Sequence, residues 1–152
     1  DQSFTGNAAE SKVPEIAANY VRVLPHVRYT GVGINFRTLI EMDDPDAYLI
    51  GRFLRDWPKV DGLDTLTATT VKFVYPSDDS RLTLSLEGAA IAHQQGETTE
   101  ERAGVLAAAN FHRDCNQYPA DEMVLQHLDH AVGDGKQFIQ LLEALPAMGG
   151  AG

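Results

Sequence analysis

The chain has 152 residues, 43% of them hydrophobic and 22% charged, the proportions of one soluble globular domain able to bury a sizeable core. Its formal net charge is −10 and its isoelectric point about 4.7, an acidity that repels phosphate backbones and argues against nucleic acid as a partner. The single cysteine, Cys115, excludes an intrachain disulfide scaffold, and no apolar run reaches the roughly 18 residues needed to cross a bilayer.

Residues 1–12 are polar, with Phe4 their only large apolar side chain, and are expected to form a flexible arm. No signal-peptide pattern opens the chain. It starts at Asp1 rather than Met, which implies that something preceding it has been removed; the cytoplasm is the expected compartment. Pro14 suits a helix start, and Ile16, Ala17, Tyr20, Val21 and Leu24 recur at helical spacing up to Pro25, predicting a helix over 14–24. From Val27 to Met42 the pattern turns extended. Val32, Ile34, Phe36, Thr38, Ile40 and Met42 share one parity while Val27 and Tyr29 have the other, so a bulge or kink is expected near Gly31. The run Glu41-Met42-Asp43-Asp44-Pro45-Asp46 combines a cap, a first-turn proline and negative charge at the positive end of a helix dipole. Tyr48, Leu49, Phe53, Leu54 and Trp57 then line one side of a helix that stops before Pro58.

After a loop over 58–64, three segments place apolar residues two apart: Val71, Phe73 and Tyr75; Leu82, Leu84 and Leu86; Val105, Ala107, Ala109 and Phe111. Period two sends alternate side chains to one face of a sheet, so 65–115 reads as a three-strand antiparallel meander. Pro76-Ser77-Asp78-Asp79-Ser80 supplies a hairpin turn, and 93–102 reads as a polar loop. A helix follows Pro119 with Met123, Val124, Leu128, Ala131 and Val132 on its buried side. A break is expected at Gly133-Asp134-Gly135, and helical spacing resumes through Phe138, Ile139, Leu141, Leu142 and Leu145. Residues 147–152 are expected to be disordered. The fold class is therefore α+β: a single domain over 13–146 with an antiparallel sheet of four to five strands, packed on one face by helices and closed by a C-terminal helix.

The sharpest chemical pattern is His112-x-x-Cys115 followed, after eleven residues, by His127-x-x-His130, which resembles the pairing of ligands in zinc sites. His127 and His130 share a helix face, but residues three apart on a strand point opposite ways, so His112 and Cys115 could both ligate only if the strand ends near Arg113. The competing reading leaves the histidines solvated, and a domain with a good core needs no metal staple. A thiol nucleophile at Cys115 would draw on His112, His127, Asp114 and Asn116, yet only Arg113 is at hand to lower its pKa, and lone cysteines are commonly small buried hydrophobes. The carboxylates Glu41, Asp43, Asp44 and Asp46 lack the order of a calcium loop and read as a helix cap. Glu97, Glu100 and Glu101 read as a solvated loop, and Gly31-x-Gly33 is too short for a dinucleotide fingerprint.

No catalytic motif stands out. The expectation is a non-enzymatic protein-interaction, assembly or accessory domain that contacts a protein partner or associates with itself, without membrane or nucleic acid. The alternative is a small-molecule binder or enzyme built on a cleft between the sheet and the C-terminal helix, with His112, His127 and His130 as its polar groups and a zinc ion as a possible cofactor.

Overall fold

A computed structural model describes residues 10–54, 56, 61, 65–95, 98–116 and 119–145. Apart from Glu10 to Lys12, the expected arm and tail lie outside these residues, as does Trp57. The elements are α1 (Val13–Val23), β1 (Gly31–Glu41), α2 (Pro45–Phe53), β2 (Thr70–Pro76), β3 (Ser80–Gln95), β4 (Thr98–Asp114), α3 (Asp121–Asp129) and α4 (Ala131–Ala144). They form one antiparallel sheet of four strands, in the order β1-β4-β3-β2, packed with four helices. The α+β class and the meander β2-β3-β4 are as the period-two pattern requires. β1 joins on the far side of β4, where the amide of Cys115 donates to Thr30 and that of Met42 to Ala103, fixing an antiparallel register. No helix among the described residues is long and apolar enough to cross a membrane.

Four local expectations need correction. The stretch 27–30 is not strand. Pro25 ends α1, and the chain is folded back by bonds from the Val27 amide to Leu24, from the Tyr29 amide to Val27, and from the Tyr29 hydroxyl to the Leu24 carbonyl at 3.0 Å. The parity change at Gly31 is thus the start of β1 and not a bulge within it. β2 begins only at Thr70. The expected loop 93–102 is instead mostly ladder: β3 runs to Gln95 and β4 resumes at Thr98, because backbone pairing continues through residues whose polar side chains give no hydropathy contrast. Finally, the helix break falls at His130 rather than at Gly133-Asp134-Gly135, which lie within α4. There Gly135 and Asp134 are buried, and packing outweighs the conformational cost of two glycines.

The described residues divide into two compact units. The first comprises 10–36, 75–82 and 110–145. Val21 of α1, Val32 of β1, Cys115, Ala120 and Val124 of α3 form its buried cluster, with Tyr29, Ile34, Met123, Leu125 and Leu128 packed against it. Phe36 meets Phe111 edge-on and stacks on Phe138 of α4, each with ring centres 5.8 Å apart. The second unit comprises 37–74 and 83–109. Leu49 of α2 is buried there, as are Leu84, Leu86, Val105, Ala107 and Ala109 of the sheet, and Phe53 packs on Phe73. As the acidic run suggested, Asp44 caps α2 by accepting a 2.9 Å bond from the amide of Ala47, with Pro45 opening the helix.

Candidate functional site

The residues singled out for metal or thiol chemistry fall at the end of β4 and around α3. His112 turns its Nε2 to the Asp114 carboxylate at 3.0 Å and stands against Gly31, where a Cβ would lie 3.0 Å from the imidazole. His127 Nε2 lies 3.3 Å from the Asp114 backbone carbonyl. Both histidines therefore converge on one residue through different oxygens. Cys115 is buried in the apolar cluster, and its backbone amide bonds Thr30. Burial, and then the Asp114 carboxylate, push its thiol above the ordinary range, which favours the protonated, unreactive form. His130 is exposed at the α3–α4 junction. Among the described residues no group of three or more His, Cys, Asp or Glu side chains is arranged to hold a metal ion.

A cleft of about 380 Å³ opens between the β2–β3 turn, the end of β4 and α4. Leu82, Phe111 and Leu141 give it apolar walls, and Tyr75, Ser80 and Gln137 add polar atoms. This is the sheet-to-helix location foreseen for a ligand. Of its two arginines, Arg81 and Arg113, the second is already engaged: it donates from Nη1 and Nη2 to the two carboxylate oxygens of buried Asp134 at 2.7 and 2.6 Å. His112 borders the cleft with its ring engaged by Asp114.

The third feature is α1 itself, which is apolar on two sides. Ala17, Val21 and Leu24 face inward, and α1 packs on α3. Ile16, Tyr20 and Val23 lie at i, i+4 and i+7, within about 60° of one another around the helix, and face out. They are 44%, 63% and 77% exposed. Val27, just past the helix end, is also more than two-fifths exposed. Scattered exposed apolar residues are ordinary, whereas three on one helical stripe form a contiguous patch of the kind that marks an interaction surface. Hydropathy alone did not separate the two stripes, because the inner and outer residues share helical spacing. Beside the outer stripe stand Lys12, Glu15 and Arg22, all exposed. Arg22 donates to Asn19 Oδ1 at 2.9 Å, a neutral acceptor. No known family model matches the chain, and no curated protein does.

Proposed function

We propose that this protein is a non-enzymatic interaction module, an assembly or accessory subunit that holds a partner on the outer face of α1. The observation that supports it is the solvent-facing row Ile16, Tyr20 and Val23 on a helix whose other side is already committed to the domain's own core. A helix that needs one apolar face to fold and carries a second has surface left for another chain. The row exposes an aromatic at its centre, the type of side chain that supplies anchor contacts in protein interfaces.

The test is site-specific photo-crosslinking in the native cell. A photoreactive residue replacing Tyr20 or Val23 is expected to give a discrete adduct heavier than the chain. The same group at Lys72, exposed on β2, is expected to give none. No adduct from α1, or the same products from both positions, would overturn the assignment.

A further inference from the structure

We infer that the cleft between β4 and α4 is a binding site for a neutral small molecule that carries a carbonyl oxygen on an apolar body. No residue of α1 lines this cleft, and all of its lining residues lie within the first compact unit. Its volume of about 380 Å³ falls in the range of roughly 300–1,000 Å³ usual for small-molecule sites. Leu82, Phe111 and Leu141 give the apolar body its wall. Arg113, two residues beyond Phe111 on the same strand, turns to the same side of the sheet, toward Asp134 of α4. Arg81 and His112 alternate with these residues, so their side chains turn to the other side; His112 accordingly stands against Gly31 and Asp114. Arg113 is therefore the one lining residue whose charged group is directed to the cleft's side, and no carboxylate lines the cleft. Asp134 takes two of its five N–H groups end-on through Nη1 and Nη2, which leaves Nε–H and one N–H on each Nη without a partner among the described residues. No buried polar side-chain atom among the described residues lacks a partner, so Nε is within reach of solvent. Asp134 thus cancels the charge of the guanidinium and leaves three of its donors unused. An anion drawn to those donors would meet the Asp134 carboxylate, and a cation would meet the guanidinium itself. Next to the lining residues along the chain stand Asp78, Asp79 and Asp114 against Lys136, which, with Arg81, leaves no positive excess to draw an anion in. A carbonyl oxygen meets neither penalty and accepts from donors that remain strongly polarised. Tyr75, Ser80 and Gln137 add neutral hydrogen-bonding groups that orient the ligand.

The test is a titration of the whole chain, followed through its backbone amide NMR signals. The probes are matched amides, carboxylates and amines built on phenyl, cyclohexyl and hexyl bodies. At least one amide is expected to shift the signals of Ser80, Phe111, Arg113 and Gln137 saturably. It is expected to bind about tenfold or more tightly than the carboxylate and the amine on the same body. Gln137→Trp, at an exposed position of α4, crowds the cleft and is expected to weaken that amide about tenfold. Arg113→Met/Asp134→Leu removes the donors and is expected to do the same, its spectrum reporting whether the fold is kept. Tyr20→Asp is expected to leave binding unchanged, so failure of the cleft and failure of the α1 surface are read separately. Three outcomes would overturn the site: no saturable shift in the cleft with any of the compounds, a carboxylate or amine that binds as tightly as its amide, or full amide affinity in either cleft variant with a native-like spectrum. Loss of binding in Tyr20→Asp would also reject it, since the compounds would then sit on α1.

Discussion

At Cys115, burial and the neighbouring Asp114 both oppose ionisation, so the folded state holds the thiol proton more tightly than the unfolded chain does. Stability drawn from that preference is fully present below the ordinary thiol pKa and is lost as pH rises through the raised value. As pH rises through and above the ordinary thiol pKa of about 8.5, the denaturation midpoint of the wild-type chain should therefore fall more steeply than that of Cys115→Ala. Parallel slopes would remove Cys115 from the account. The pair Arg113–Asp134 makes a second residue-scale case. Both side chains are largely buried, and two short bonds join them. Asp134→Leu strands a guanidinium with little water around it, at an expected cost of about 3–5 kcal/mol, whereas Arg113→Met/Asp134→Leu should recover most of the loss. Equilibrium unfolding of the two singles and the double closes that cycle. Little of this was legible beforehand. Asp134 sits between two glycines, a composition that reads as a break and gives no sign of an acid aimed into the protein.

The helices show where local pattern suffices and where it does not. Asp44-Pro45 announced the start of α2 because a cap and a first-turn proline act through their own backbone neighbours, whereas its end, expected just before Pro58, falls at Phe53. Gly133 and Gly51 are the opposite lesson: each lies inside a helix, with open space where a Cβ would go. Gly133→Ala and Gly51→Ala should each stabilise the protein by about 0.5–1 kcal/mol, read as a rise in denaturation midpoint at unchanged slope. Gly104 is tied to its position by the backbone of the adjacent strand. A Cβ there would collide with the carbonyl of Ile40, so Gly104→Ala should lower the midpoint while the two helical substitutions raise it. The α1 pattern was visible as a helix from its spacing. Which of its two apolar stripes turns inward was not, since that depends on α3 lying beside Val21, a contact between segments about a hundred residues apart.

At the scale of the molecule, alternation was enough to give three neighbouring strands, because each of them pairs with the next in sequence. It could not place β1, whose sequence carries the right period but no statement of which edge it joins. The candidate surfaces fared likewise. A cleft opens beside α4, and the four candidate ligands His112, Cys115, His127 and His130 lie near one another in sequence without forming a three-ligand group among the described residues. Spacing along a chain fixes which residues can share an element; it does not fix which way their side chains point.

The pairing of β1 with β4 has a kinetic side. Met42 bonds Ala103 and Thr30 bonds Cys115, partners more than sixty residues apart along the chain, whereas β3 and β4 are separated by two. Closing the longer loop costs more entropy before any contact offsets it, so the β3–β4 hairpin should assemble early and β1 should dock late. Pulse-labelled amide exchange during refolding should show Leu84, Leu86 and Ala107 protected before Val32 and Ile34. Simultaneous protection would mean that the whole sheet condenses in one step.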